Sequence, residues 1–160
     1  MPVEVRPARV EDARGIAEAH VLAWQQAYSH LVPSEVLVGL SVEQRQLRWA
    51  QILVRPGLDV VVATVDATIV GFASANSDGG VAEPRERELE SIYVVADQHG
   101  TGVGQRLLDA VIGDAPAFLW VADDNPRARA FYARNGFVPD GATKVGPVAG
   151  TPVLEARLVR

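Results

Sequence analysis

Short apolar runs separated by polar breaks make up the first third of the chain. Val3 and Val5 alternate with polar neighbours, which predicts a short strand ending at Pro7. Apolar residues recur at helical spacing over residues 11–28, so a long helix is expected there. A Ser-x-x-Gln capping pattern then opens a second expected helix, which ends before Pro56.

The middle of the chain is rich in β-forming residues. The runs D-V-V-V-A-T-V and T-I-V-G-F-A-S-A are separated only by Asp66-Ala67, and a two-residue gap indicates a hairpin. Residues 76–87 are polar and contain glycine and proline, which predicts a loop before the strand E-L-E-S-I-Y-V-V. A helix with Leu107 and Leu108, the strand F-L-W-V-A, a helix capped by Asn125 and one or two closing strands are expected to follow.

The order of these elements, β-α-α-β-β-β-α-β-α-β-β, indicates an α+β fold. An antiparallel meander followed by strand-helix-strand predicts a mixed, mostly antiparallel central sheet flanked by helices. Residues 1–160 contain no internal repeat and are expected to form a single domain.

Composition and charge argue against several classes of function. The chain has 160 residues, a formal net charge of -5 and scattered arginines, so nucleic acid is not an expected partner. Because there is no cysteine, disulfides, thiolate nucleophiles and cysteine-ligated zinc are excluded, and the three histidines lack metal-site spacing. No metal is therefore expected. The sequence shows neither a signal peptide nor a membrane span, which predicts a cytoplasmic protein with no membrane partner.

The segment D-Q-H-G-T-G-V-G-Q-R-L-L, residues 97–108, places three glycines at alternate positions before a helix. Backbone N–H groups that lead into a helix N-terminus can bind an anion such as phosphate. The G-x-G-x-G spacing differs from the G-x-G-x-x-G of a dinucleotide-binding turn, and the loop lacks the Lys-Ser/Thr of a P-loop. The pattern therefore favours the pyrophosphate of another cofactor.

A second motif follows this glycine loop. Together, I-Y-V-V-A-D-Q-H-G-T-G-V-G-Q-R-L-L and L-W-V-A-D-D-N-P-R-A-R-A-F-Y-A-R-N-G-F resemble the acyl-CoA-binding core of the GCN5-related N-acetyltransferase (GNAT) family. The resemblance implies acetyl-CoA as co-substrate, with the backbone of Ile92 and Val94 along its pantetheine arm and Asn125 near the thioester. It places the pyrophosphate on the loop residues His99, Gly100, Thr101, Gly102, Val103, Gly104 and Gln105. His99 stands where family members usually carry Gln or Arg, so its contact is the least secure of the set.

The resemblance also implies roles at the reacting atoms. Tyr132 is the expected proton donor to the departing sulfur. Glu88 and Glu90 are candidate proton acceptors, because several family members carry an acid near this strand position; the alternative for both is a solvated or salt-bridged residue. The acceptor pocket is expected to be formed by Trp24, Tyr28, Trp49 and residues 78–87, although the aromatic stripe on the first helix also fits core packing.

The function implied by this resemblance is acetyl transfer from acetyl-CoA to a primary amine by direct attack in a ternary complex. The acceptor is expected to be a small molecule or an amino acid. Two alternatives are acetylation of protein N-termini or lysines, and a non-catalytic acyl-CoA-binding module that regulates a partner. Homodimers are common in the family, but nothing in the sequence establishes one.

Overall fold

The computed structural model describes residues 2–77, 80 and 82–160. The strands are β1 (Val3–Pro7), β2 (Leu58–Val65), β3 (Thr68–Asn76), β4 (Glu88–Val94), β5 (Phe118–Ala122), β6 (Val138–Val148) and β7 (Thr151–Val159). The helices are α1 (Ala13–Ala27), α2 (Ser34–Val38), α3 (Val42–Ile52), α4 (Val103–Val111) and α5 (Pro126–Arg134). Among these described residues no helix is long and apolar enough to cross a membrane.

Within the described residues, seven strands form one mixed sheet in the order β1-β2-β3-β4-β5-β7-β6. Neighbouring strands are antiparallel except β4 and β5, which are parallel and joined through α4. This arrangement confirms the predicted α+β fold with a mixed, mostly antiparallel sheet. The five-residue helix α2 was not predicted, because one helical turn is too short to show a hydrophobic period.

The sheet opens between β4 and β5. Only one bridging pair joins them, Glu88 with Phe118, whereas β5 pairs with β7 along five residues. On the other side of β4, the Val95 amide donates to the Val70 carbonyl at 2.9 Å. The backbone groups of odd-numbered residues at this end of β4 therefore form their hydrogen bonds with β3. The backbone groups of Ile92 and Val94 therefore point into the gap between β4 and β5.

Helices cover both faces of the sheet. Phe72 and Gly71, adjacent on β3, point to opposite faces. The Phe72 ring lies 5.3 Å from His20 of α1, and Leu107 of α4 lies beside Gly71, where a Cβ would meet it at 3.1 Å. The main core lies between the sheet and these helices, and Phe72, Ile16 and Leu107 are fully buried in it.

A β-bulge on β4 sets which of its side chains share a face. Ser74 pairs with Ser91 and Ala75 with Leu89, so Glu90 is the extra residue. Asn76, which shares a face with Ser74, pairs with Glu88. Simple alternation from Ser91 would put Glu88 on the opposite face; the bulge returns it to the face of Ser91 and Tyr93, beneath α1.

Candidate active site

A cavity of about 670 Å³ lies where β4 and β5 separate. Its wall is formed by α1, β4, the glycine loop, β5, α5 and the β6–β7 hairpin. A volume of this size is typical of a site for a small molecule or a cofactor. The open edge of β4, with Ile92 and Val94, forms part of this wall. On this edge the Val94 carbonyl oxygen already accepts a hydrogen bond, because the His99 Nε2 lies 2.9 Å from it.

The glycine loop ends in an uncapped helix N-terminus. Gly100 and Gly102 have φ values of 77° and 88°, a left-handed conformation that glycine adopts without strain. Gly102 is the N-cap of α4 and supplies no side-chain cap; the first backbone bond of the helix runs from the Arg106 amide to its carbonyl, at 3.1 Å. The preceding helical amides therefore have no partner within the helix. A Cβ at Gly100 or Gly102 would meet nothing within 4 Å, so this end of α4 is open to an anion.

Helix α5 and its N-cap place two polar side chains at the cavity. Asn125 is the N-cap, with its Oδ1 accepting from the Ala128 amide at 3.3 Å, and Pro126 occupies the first turn. Two turns later Tyr132 also lines the cavity and is only 8% exposed. Burial raises the pKa of Tyr132 above the ordinary tyrosine value, and the nearby Tyr93 adds to this effect. The Tyr132 hydroxyl has no hydrogen-bond partner among the described residues.

Aromatic side chains of α1 and β4 form the opposite end of the cavity. The hydroxyls of Tyr28 and Tyr93 are 3.0 Å apart and hydrogen-bonded, and Trp24 packs edge-on against both rings. Burial is the main cause that raises the pKa of both tyrosines. The β6–β7 hairpin borders this end, and its Val148 and Val153 pack in one buried cluster with Tyr28. The cavity therefore ends at an aromatic wall that carries the un-ionised hydroxyls of Tyr28 and Tyr93.

Comparison with known sequences gives the family. The sequence model of the Acetyltransferase (GNAT) family matches residues 22–137, which include the open strand edge, the glycine loop and α5. The chain belongs to the GNAT family. A probable N-acetyltransferase of Mycobacterium tuberculosis is 26% identical over 146 residues, which cover 88% of this chain and 83% of that protein.

Solved GNAT structures share the same fold. The PaiA N-acetyltransferase of Thermoplasma acidophilum, in complex with coenzyme A, aligns over all of both chains with a TM-score of 0.71 and 19% identity. An acetyltransferase of Salmonella typhimurium with its cofactor acetyl-CoA aligns over 99% of this chain and 92% of its own, with a TM-score of 0.70 and 18% identity. These similarities confirm the GNAT fold expected from the motifs.

The GNAT motif residues come together around one cavity, with a few exceptions. Those that line it are Ile92, Val94, His99, Gly100, Gly102, Gly104, Gln105, Asn125 and Tyr132. Thr101 and Val103 belong to the same loop but do not line the cavity. The Thr101 hydroxyl donates to the Gln98 carbonyl at 2.7 Å, and Val103 is buried in the main core. Within the part of the chain that is described, no three His, Asp or Glu side chains are grouped to hold a metal ion.

The predicted acceptor-pocket residues divide into two groups. Trp24 and Tyr28 line the cavity, but Trp49 does not. Trp49 is 3% exposed and its indole Nε1 donates to the Nδ1 of His20 at 3.0 Å, so it belongs to the main core and not to the cavity wall. Of residues 78–87, positions 78, 79 and 81 are outside the described residues, and the others do not line the cavity.

The two glutamates of β4 differ in access and in partners. Glu88 is half-buried and does not line the cavity; burial, followed by the charge of Glu90, raises its carboxyl pKa. Glu90 lines the cavity, but both of its carboxylate oxygens accept hydrogen bonds from Arg55, at 3.2 and 3.1 Å. A further carboxylate, Glu155 on β7, also lines the cavity. The sequence alone did not indicate Glu155, because a single acidic residue in a closing strand is typical of a surface position.

Proposed function

We propose that this GNAT protein is an acetyl-CoA-dependent N-acetyltransferase that acts on a primary amine of a small molecule or an amino acid. Transfer takes place by direct attack of the amine on the thioester in a ternary complex. The observation that carries the proposal is the continuity of one cavity, from the uncapped N-terminus of α4, past Asn125 and Tyr132, to the aromatic end at Tyr28.

The cofactor end of this cavity fits an acyl-CoA. Free amides at the start of α4 and the open space over Gly100 and Gly102 suit a pyrophosphate. The unpaired edge of β4 offers the backbone groups of Ile92 and Val94 to the amides of a pantetheine arm, as an added strand would use them. When bound, acetyl-CoA supplies the activated acetyl group. His99 shares the Val94 carbonyl, which has a second lone pair for another donor.

The reacting groups require a proton donor and a proton acceptor. Tyr132 is the proposed donor to the sulfur, because its hydroxyl is un-ionised and has no other partner in the described structure. A free alkylamine with pKa near 10.4 is neutral in only about one molecule in 2,500 at pH 7. Converting the ammonium form to the neutral amine at this pH therefore costs ~4.6 kcal/mol of free energy. Of the predicted acceptors, Glu88 has the raised pKa but lies outside the cavity lining, and Glu90 is ion-paired with Arg55.

The aromatic end of the cavity favours a small acceptor over a protein. Val148 and Val153 of the β6–β7 hairpin belong to one buried cluster with Tyr28, Val32 and Leu37, so the hairpin packs together with the α1–α2 segment at this end. A substrate that enters this pocket is surrounded by Trp24, Tyr28 and Tyr93. These contacts support a compact amine and count against the alternative of lysines within folded proteins.

Steady-state kinetics test the proposal directly. Release of CoA is followed with a thiol reagent, and because the chain contains no cysteine, the signal comes from CoA alone. A panel of small primary amines and amino acids is compared with peptides that carry a free N-terminus or a lysine. We expect turnover with small amines. Double-reciprocal plots of the initial rate against amine concentration, at several concentrations of acetyl-CoA, should give intersecting lines, as a ternary complex requires.

Each contrary outcome rejects a defined part of the proposal. Parallel lines would indicate an acyl-enzyme and reject direct attack. Turnover confined to peptides or proteins would reject the small acceptor. Acetyl-CoA binding without turnover on any member of the panel would favour a regulatory acyl-CoA-binding module.

A further inference from the structure

Within the described residues, the cavity wall contains two carboxylates, Glu90 and Glu155. Arg55 neutralises Glu90. Glu155 is half-buried and forms no ion pair with any described residue, although basic side chains lie near it on the same sheet. Lys144, directly opposite on β6, places its Nζ 4.3 Å from the centre of the Trp120 ring. Arg157 is 2.7 Å from Asp140 and 3.7 Å from Glu83. Glu155 is thus the cavity carboxylate that is free to bind a cation.

The β6–β7 hairpin contains a specific space for the Glu155 side chain. On β6, Gly146 lies two residues from the pairing partner of Glu155, and a Cβ at Gly146 would collide with the Glu155 Oε1. Because Gly146 has no side chain, the carboxylate can lie flat over β6 instead of extending into solvent. The φ of Gly146 is outside the left-handed region, so its backbone conformation does not itself require glycine. The missing Cβ is what leaves room for the carboxylate.

Glu155 lines the same cavity as the hydroxyl pair of Tyr28 and Tyr93. Glu155 pairs on its other side with Ala122, the last residue of β5, which belongs to the buried cluster around Tyr28. Burial is the main cause that raises the pKa of Tyr28 and Tyr93, and the negative charge of Glu155 adds to it. The strand pairing and the cavity lining place Glu155 at the acceptor end of the cavity, and its charge acts on the two tyrosines there.

We propose that Glu155 binds the nitrogen of the acceptor amine and takes its proton during acetyl transfer. This inference rests on the proposed function. In the step, the neutral amine nitrogen forms a bond to the thioester carbonyl carbon and the carbon–sulfur bond breaks. The sulfur takes a proton from the Tyr132 hydroxyl, the nitrogen gives a proton to Glu155, and proton exchange with water restores both side chains. An amine that enters as its ammonium form releases one further proton to solvent.

The recognition follows from charge and hydrogen bonding. A carboxylate accepts charge-assisted hydrogen bonds from an N–H group, and these are about twice as strong as neutral ones. The Tyr28 and Tyr93 hydroxyls are hydrogen-bonded to each other, which leaves Glu155 as the charged acceptor at this end. Glu155 therefore selects acceptors with an amine over those with a hydroxyl or a carboxylate.

Two substitutions remove this contact in different ways. Glu155→Gln keeps the shape and removes the charge, whereas Gly146→Ala keeps the charge and occupies the space of the carboxylate. For each we expect kcat/KM for the best amine to fall by roughly tenfold or more, with unchanged affinity for CoA measured by calorimetry. Glu155→Asp should recover part of the loss. Glu43→Gln, a neutralised glutamate on the exposed side of α3, is the control and should behave as wild type.

The double variant separates a direct role from a structural one. If Gly146→Ala acts by displacing Glu155, then adding it to Glu155→Gln causes little further loss, because the contact is already gone. Losses that multiply in the double variant would overturn the inference, as would CoA affinity that falls in parallel with turnover.

A fully active Glu155→Gln variant would also reject it, most clearly if Glu88→Gln is inactive. A wild-type protein with no turnover on any amine would instead reject the proposed function, and that outcome is seen before any variant is made.

Discussion

Replacing Tyr132 with phenylalanine removes one oxygen from the centre of the proposed site. The ring remains packed edge-on between Phe131 and Phe137, with ring centres 5.5 and 5.9 Å away. Because the hydroxyl has no hydrogen-bond partner among the described residues, its removal leaves no buried polar group unpaired in the free protein. We therefore expect Tyr132→Phe to fold normally, with a free energy of unfolding within about 1 kcal/mol of the wild-type value.

The size of the kinetic effect follows from the pKa of Tyr132. With ordinary pKa values near 10 for tyrosine and 8.5 for a thiol, complete proton transfer to a free thiolate is uphill by ~2 kcal/mol. Burial raises the pKa of Tyr132 further, so the transfer becomes still less favourable. The main contribution to the transition state is then a hydrogen bond to the developing negative sulfur, typically ~1.5–3 kcal/mol for a charged partner, and complete proton transfer from Tyr132 is coupled to proton release from the amine. That range corresponds to a loss of about 10- to 150-fold in kcat.

Initial rates of Tyr132→Phe at saturating and limiting amine test this reasoning. Because the hydrogen bond forms only as the sulfur leaves, kcat and kcat/KM should fall by the same factor. Calorimetric titration with CoA should give the wild-type affinity. A variant that keeps more than half of the wild-type kcat would refute the assigned role. A loss that appears only in KM or in CoA affinity would show that Tyr132 shapes the site without acting on the sulfur.

Two further predictions concern stability and the glycine loop. Burial lowers the pKa of His20 to about 3, so as the pH falls below 6.5 the unfolded chain binds a proton that the folded protein does not. The free energy of unfolding should therefore fall by ~1.6 kcal/mol between pH 6.5 and 5, and denaturant unfolding of His20→Phe should lack this part of the pH dependence. Gly102→Ala forces a Cβ into a left-handed conformation at φ 88°, so unfolding free energy should drop by ~1–2 kcal/mol and CoA should bind more weakly. Gly104 does not have a positive φ, so Gly104→Ala is the matched control and should keep its stability. Equal unfolding midpoints for the two alanine variants would contradict the argument.

Local signals in the sequence predicted most of the fold. Ser41 and Asn125 cap their helices as expected, accepting hydrogen bonds from the amides of Gln44 and Ala128. The hairpin at Asp66-Ala67 forms although neither residue is glycine, and both adopt positive φ, at 47° and 64°. The two-residue spacing was a better guide than turn composition, because the twist of the flanking strands selects a turn with left-handed residues.

Features that depend on contacts between distant segments could not be predicted. The aromatic stripe on α1 was open to two interpretations, and both hold in part: His20 bonds to Trp49 in the core, while Trp24 and Tyr28 reach the cavity. The face of Glu88 depends on the bulge at Glu90, which appears only in the register with β3. A period-two count along β4 cannot reveal an inserted residue.

The two ends of the cavity carry side chains of opposite charge. At the glycine-loop end, the Arg134 guanidinium lies 6.0 Å from the centre of the Phe131 ring, and that ring is next to Gly104. At the other end are the carboxylate of Glu155, which forms no ion pair with any described residue, and the buried, un-ionised Tyr28 and Tyr93. This arrangement would attract a polyanionic cofactor and the proposed cationic acceptor to opposite ends of one cavity. In the direct transfer that we propose, both are bound together, and the thioester and the amine meet near Tyr132.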